Sequence, residues 1–230
     1  MSNKEWTDTI IKKVDPSFKH RWILFDEEVT KLLTPDVVWV DCGCGTNGMV
    51  NTFGNRTKSA IGVDLIDPEG IDGNYIKADI KAMPFPDEYA DLITLRFVVE
   101  HFDNVEDNFS ELERVLKPNG KIVILTTNYL SPLIRIPHLI LPYRIKNWML
   151  STLFKVDATD IFPTYHKVNV PNFYQNKLNT FTTKKLMMIS DLNSTRKSIF
   201  LIFLSYHILT LFKPLNKFRT NILAVLEKNT

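Results

Sequence analysis

Cysteine is nearly absent from this 230-residue sequence. The only two, Cys42 and Cys44, are separated by a single residue, too close for an ordinary structural disulfide. A disulfide-stapled scaffold is excluded, and two thiolates are too few for a structural zinc cluster. Glycine is scarce at eight residues, and no low-complexity tract or internal repeat stands out, which excludes collagen-like and solenoid architectures. The apolar run 199–212 holds fourteen residues, including Ser205, Tyr206, His207 and Thr210, short of the ~20 that a membrane-spanning helix requires. The first ten residues have no apolar core of the signal-peptide kind, so a cytoplasmic location is expected.

Charge, by contrast, is plentiful and unevenly spread. The net charge is +2, yet residues 1–129 hold 14 Lys/Arg against 22 Asp/Glu, and residues 130–230 hold 14 against 4. Such a split either turns one half toward an anionic partner or makes a solvated basic surface.

Residues 15–33 carry Phe18, Trp22, Phe25, Val29, Leu32 and Leu33 at spacings of three and four, a helical stripe that stops before Pro35. Val37-Val38-Trp39-Val40, Ala60-Ile61-Gly62-Val63, Asp91-Leu92-Ile93-Thr94-Leu95 and Lys121-Ile122-Val123-Ile124-Leu125 are short apolar runs of the kind found in buried parallel strands. Between the last two, Phe109, Leu112, Val115 and Leu116 share a helix face, and Pro118-Asn119-Gly120 marks a turn. Alternating strands and helices predict an α/β fold: a Rossmann-like doubly wound sheet, mostly parallel with an antiparallel last strand. Residues 130–156, with prolines at 132, 137 and 142, predict a helical insertion after the fifth strand. Further on, Thr182-Thr183 reads as the cap of a helix through Leu186-Met187-Met188-Ile189. Residues 198–204 read as a strand, 205–215 as a helix and 221–226 as a closing strand.

The most informative segment is 38–48, Val-Trp-Val-Asp-Cys-Gly-Cys-Gly-Thr-Asn-Gly. An apolar strand ends in an acid, Asp41, and enters a loop with Gly43 and Gly45. Ligands of open α/β sheets sit beyond the carboxyl ends of the strands, and glycine there lets backbone approach without a Cβ in the way. The P-loop form G-x-x-x-x-G-K-[ST] is missing. Asp64 ends the next strand, 23 residues after Asp41, where an acid can accept from ribose hydroxyls. Asp79 follows where a third strand would end. Three carboxylates crowd out a pyrophosphate and suit a cationic nucleoside, whose sulfonium and amine they can meet.

Several segments, in order, resemble the class I S-adenosylmethionine-dependent methyltransferases of the type 11 group. They are Val40-Asp41-Cys42-Gly43-Cys44-Gly45-Thr46, Ile61-Gly62-Val63-Asp64, Ala78-Asp79-Ile80, Met83-Pro84-Phe85-Pro86-Asp87, Tyr89-Ala90-Asp91-Leu92-Ile93, Val99-Glu100-His101 and Glu113-Arg114-Val115-Leu116-Lys117-Pro118-Asn119-Gly120-Lys121. The resemblance covers about residues 20–128 and implies S-adenosylmethionine as cofactor. It implies that Gly43 and Gly45 pass close to the cofactor's amino-acid moiety and that Asp41 holds that loop and, directly or through water, the ammonium. Asp64 would bind the ribose, Leu65 would lie against the adenine, and Asp79 with the Ile80 amide would meet the adenine amine. Arg96, Phe97 and Val98 would line the cofactor near its methyl. Asn47 stands where the family often has a third glycine, a mild variation because Asn tolerates positive φ. A single domain follows: N-terminal helices in 1–35, a cofactor-binding half in 36–128, a helical and loop lid in 129–180, and the last helices and strands in 181–230.

The same residues have plainer readings. Each acid alone can be a helix N-cap. Cys42 and Cys44 read as packing residues, since Cys-x-Cys lacks redox-motif spacing. His101 and His166 are the candidate catalytic bases, although His101 beside Glu100 also reads as a structural histidine. No metal site is expected. An NAD-type oxidoreductase is the alternative, because Gly43-x-Gly45-x-x-Gly48 fits a dinucleotide fingerprint; Asp41 and Asp79 weigh against it. A non-catalytic nucleotide-binding module is a further alternative. Nucleic acid is not expected as acceptor, since Arg96-Phe97-Val98-Val99 replaces the Asn/Asp-Pro-Pro-aromatic sequence usual there. The expected acceptor is a small molecule or glycan, anionic or lipid-linked, methylated at oxygen. Residues 130–156, where aliphatics interleave with cations, read either as a peripheral membrane contact or, over 134–141, as a segment that packs on the sheet.

Overall fold

The computed structural model describes residues 3–66, 73–153, 162–176, 178–192 and 196–230. Residues 154–161 and 177 of the expected lid and residues 193–195 lie outside the described residues.

Among the described residues seven strands make one sheet: β1 (Val38–Cys42), β2 (Ser59–Asp64), β3 (Tyr75–Lys77), β4 (Ala90–Arg96), β5 (Leu116–Thr127), β6 (Phe181–Ile189) and β7 (Asn221–Lys228). Their order is β3-β2-β1-β4-β5-β7-β6. The first five pair in parallel, and β7 runs antiparallel to both β5 and β6. This is the expected doubly wound, mostly parallel sheet with an antiparallel last strand. The order reverses at β1, between β2 and β4, where Val40 faces Ile61 on one side and Ile93 on the other. Every residue of β1 is buried, as its unbroken apolar run requires of a strand covered on both faces.

The helices are α1 (Asn3–Val14), α2 (Arg21–Thr30), α3 (Gly48–Phe53), α4 (Val105–Val115), α5 (Pro132–Ile140), α6 (Tyr143–Leu153), α7 (Pro171–Asn176) and α8 (Lys197–Leu211). On one face of the sheet, Phe109, Leu112 and Val115 of α4 pack with Val40, Ile93 and Ile122. On the other, Phe25 and Val29 of α2 and Met49 of α3 pack on Trp39 and Leu92. A third cluster joins Ile11 of α1 to Phe200 and Leu204 of α8. Arg114 pins the turn before β4: its guanidinium donates to the carbonyls of Met83 and Phe85 and meets Glu111 and Asp87 at 2.7 and 2.8 Å.

The structure departs from the sequence reading at three places. Residues 181–189 form strand β6, not a helix. Leu186, Met187 and Met188 favour a helix, but Phe181, Thr182, Thr183 and Ile189 suit a strand, and residues 221–228 pair with the segment from end to end. Residues 197–211 form one helix rather than a strand followed by a helix. Pro118-Asn119-Gly120 lies within β5 as an irregularity between the pairs Ala90↔Leu116 and Leu92↔Lys121, with Asn119 at φ 61°.

Candidate active site

Beyond the carboxyl end of β1, the chain turns through Gly43 (φ 67°), Gly45 (φ 54°) and Asn47 (φ 57°) into α3. The Gly43 amide donates to the Val63 carbonyl at 2.7 Å, which ties the loop to β2. A Cβ on Gly43 would collide with Cγ2 of Val98, whereas one on Gly45 would meet nothing within 4 Å. The first glycine is therefore required by packing. The second leaves backbone bare at the rim.

Asp64 ends β2 and grips this loop. Its Oδ2 accepts from the Gly45 amide at 2.8 Å, and its Oδ1 accepts from the Leu65 amide at 2.7 Å. Asp79 follows β3 and caps a 3-10 turn, Ile80–Ala82, by accepting from the Lys81 amide at 2.9 Å. Asp41 is only 3% exposed. The Thr94 hydroxyl donates to it at 2.5 Å and accepts from the Trp39 indole at 2.9 Å. Burial pushes the Asp41 carboxyl up from 3.8 to about 6, against the opposing pull of the Thr94 bond and the Arg96 charge.

A cleft of about 630 Å³ opens here. Gly43, Gly45, Asp64, Leu65, Asp79 and Ile80 line one side; Arg96, Phe97, Val98 and His101 line the other. Of the residues singled out in the sequence, these include all but Asp41 and His166. Asp41 sits behind the loop, against Thr94. His166 sits behind the far wall, stacked on Tyr129 with ring centroids 4.9 Å apart and edge-on to His138 at 4.8 Å. Burial, then the charges of His138, His101 and Lys146, lower His166 to about 4, so its ring is neutral at pH 7. Its Nδ1 is buried and has no hydrogen-bond partner.

His101 is held differently. Its Nδ1 lies 2.8 Å from the Pro163 carbonyl oxygen, which can only accept. In the neutral ring this places the proton on Nδ1 and the lone pair on Nε2.

Sequence reasoning missed the clamp that builds this wall. Glu100 is buried, and the Thr126 hydroxyl donates to its carboxylate at 2.7 Å. Burial holds that carboxyl above its usual range. The Glu100 carbonyl accepts from the amides of Tyr165 and His166 at 2.8 and 3.3 Å. The loop 162–167 is thereby fastened over the cleft, and Phe162, Pro163 and Tyr165 line it. An acid inside the apolar stretch before His101 was the available signal. Within the expected lid, α5 and α6 contribute no lining residue among those described. The thiols behave as packing groups: burial raises both, Cys44 to about 12, so they stay protonated. Among the described residues no cluster of three or more His, Cys, Asp or Glu is placed to hold a metal.

Residues 40–124 match the family described as "Methyltransferase domain". The ubiquinone/menaquinone biosynthesis C-methyltransferase UbiE of Stutzerimonas stutzeri is 34% identical over 73 residues, which are 31% of this chain and 28% of that protein. The match thus spans little more than a quarter of the length of the curated relatives. A SAM-dependent methyltransferase from Archaeoglobus fulgidus aligns over 96% of this chain and 98% of its own, with a TM-score of 0.54 and 18% identity. The geranyl diphosphate C-methyltransferase of Streptomyces coelicolor aligns over 88% of this chain and 78% of its own, with a TM-score of 0.54 and 17% identity. Those two likenesses speak to fold. The matched segment runs from β1 to β5 through the glycine loop and both rim acids, and over that stretch the chain is similar to the S-adenosylmethionine-dependent methyltransferases of the type 11 group.

Proposed function

We propose that this protein transfers a methyl group from S-adenosylmethionine to a small-molecule acceptor. The observation that carries the reading is the rim itself: Asp64 and Asp79 flank bare backbone at Gly45 on a single cleft of about 630 Å³, a size suited to a small cofactor. The residues fit the group. Asp64 would exchange its bonds to loop amides for ribose hydroxyls, Leu65 would cover the adenine, and Asp79 with the Ile80 amide would meet the adenine amine. Gly43 and Gly45 would pass the amino-acid end, and the charge of Asp41 behind them would favour its ammonium. Arg96 would lie beside the reacting end. When bound, the cofactor supplies a methyl already activated on a sulfonium. The protein's own share is position, exclusion of water by Phe162 and Tyr165, and a base if the acceptor must lose a proton. His101 is the better placed of the two candidate bases, because it lines the cleft with Nε2 as its accepting nitrogen.

Calorimetric titration with S-adenosylhomocysteine, and separately with NAD, tests the cofactor. Binding of the former alone is expected, and binding of NAD alone would overturn the reading in favour of the dehydrogenase alternative. Asp64→Ala should weaken S-adenosylhomocysteine at least about tenfold, while His101→Ala should abolish turnover at unchanged affinity.

For the acceptor, our reading is an anionic or lipid-linked small molecule or glycan, methylated at oxygen, with peripheral membrane contact through 130–156. Support comes from the cationic, aliphatic surface of α5 and α6, where Ile136, Leu139, Ile140 and Trp148 are exposed among Arg135, Arg144 and Lys146. A carbon acceptor is the second reading, favoured by the likeness to the quinone and geranyl diphosphate C-methyltransferases. Carbon-13 NMR of a product labelled from the methyl donor separates the two.

A further inference from the structure

An amphipathic helix buries one face and turns a polar face to water. Helix α8 does not. Phe200, Leu204, His207 and Thr210 are buried against the rest of the protein. The opposite face presents Leu201, Ile202, Ile208, Leu209 and Phe212, and these are as exposed as surface polar residues: Ile202 is 59%, Leu209 56% and Phe212 65% exposed. Positions 201, 202, 205, 208, 209 and 212 follow helical spacing, so they form one continuous stripe. The single polar side chain in that stripe, Ser205, donates its hydroxyl back to the Leu201 carbonyl at 2.9 Å and so hides its polarity from the outside.

Along its own segment the charges of α8 have one sign, and Asp15, which meets His207 at 3.2 Å, lies on the buried face. Residues 196–219 contain Arg196, Lys197, Lys213, Lys217 and Arg219 and no acid. Lys213 and Lys217 are exposed and follow directly after Phe212. The neighbouring apolar helices abut α8: Tyr206, next to the stripe, has its hydroxyl 3.1 Å from the Ser131 hydroxyl at the start of α5, and Arg196 donates to the Thr152 carbonyl in α6 at 3.3 Å. Residues 114–156 also hold no acid. The helix has 15 residues, or about 22 Å of length, against a hydrocarbon core of ~30 Å; no helix among the described residues is long and apolar enough to cross a membrane.

We propose that α8 is a membrane-surface helix. It lies along an anionic bilayer with Ile202, Leu209 and Phe212 below the headgroups and Lys213 and Lys217 at the phosphates. A protein partner would be expected to need hydrogen bonds or acidic complements to these cations; a fluid anionic surface supplies charge without fixed geometry, and aliphatic side chains without polar neighbours suit acyl chains. The inference extends the membrane contact proposed for 130–156 to a second element, and it stands without the methyltransferase reading, because no α8 residue lines the cleft.

The test is sedimentation of the full chain with phosphatidylcholine vesicles, alone and with phosphatidylglycerol. Binding only to the anionic vesicles is expected. Ile202→Ser with Leu209→Ser should weaken the partition at least about tenfold, and Lys213→Glu with Lys217→Glu should remove the dependence on phosphatidylglycerol. Both variants change exposed positions, so circular dichroism and S-adenosylhomocysteine affinity should match the parent. An α5 variant, Leu139→Ser with Ile140→Ser, separates the two elements: equal vesicle binding by the α8 variant and its parent, with loss only in the α5 variant, overturns the role of α8. Absence of vesicle binding by the parent overturns it too, as does a concentration-dependent dimer that the α8 variants abolish, which would make the stripe a contact between copies.

Discussion

Asp41→Asn should make the protein more stable and a poorer binder of its cofactor. The carboxyl lies behind the glycine loop, 3% exposed, with a hydrogen bond from Thr94 as its visible compensation. Burial holds its pKa at about 6 in the fold, against 3.8 ordinarily. That gap is about two pH units, at about 1.4 kcal/mol each, so ionised Asp41 opposes folding by about 3 kcal/mol. The sign follows from proton counting. Between pH 4 and 6 the folded state keeps a proton that the unfolded state has released, so stability falls as pH rises through that window and stays reduced above it. Asparagine offers Thr94 the same accepting oxygen with no charge. Urea unfolding of both proteins should therefore show the variant more stable by up to about 3 kcal/mol at pH 7.5, with the difference fading toward pH 4. Titration with S-adenosylmethionine should show weaker binding by the variant, since the negative charge near the ammonium is gone. A variant less stable at pH 7.5, or a difference that does not change between pH 4 and 7.5, would refute the reasoning.

Other consequences are more local. Gly43→Ala forces a Cβ into Val98 at a positive φ and should lower stability by about 2 kcal/mol; adding Val98→Ala should relieve the collision but not the backbone strain, as thermal unfolding of the double variant would show. Arg114→Ala removes two carbonyl contacts and two carboxylate contacts from a partly exposed side chain, and a loss of about 1–2 kcal/mol is expected in denaturant titration. Glu100→Ala leaves the buried Thr126 hydroxyl without its acceptor, at an expected cost of about 1–3 kcal/mol in denaturant titration, but keeps the backbone carbonyl that holds 165 and 166, so proteolytic cleavage within 162–167 should not rise.

Strands β1, β2, β4 and most of β5 were legible because a buried parallel strand writes itself as an unbroken apolar run. The rim acids were legible because each ends such a run. Residues 186–189, Leu-Met-Met-Ile, carry no such signature: Leu and Met suit helices, and their partner lies in β7, more than thirty residues along the chain. Residues 198–204 misled in the opposite direction. Ile, Phe and Leu in a continuous run read as a two-sided buried strand, whereas the segment is a helix apolar on two faces, only one of them covered by the protein. The place of Asp41 behind the loop depends on how deeply Thr94 and Trp39 enclose it, which a linear sequence does not record. The clamp from Glu100 to 165–166 joins segments 65 residues apart, and its local trace is limited to an acid inside the apolar stretch before His101.

The antiparallel β7 carries an implication for assembly. Among the described residues it is the one sheet neighbour of β6 and the outer neighbour of β5, so the family-matched segment, which ends at 124, stops with a hydrophobic edge open. Any fragment lacking residues 221–228 would leave the facing edges of β5 and β6 unpaired and uncover Ile122 and Ile124 at once, and its fate would be self-association.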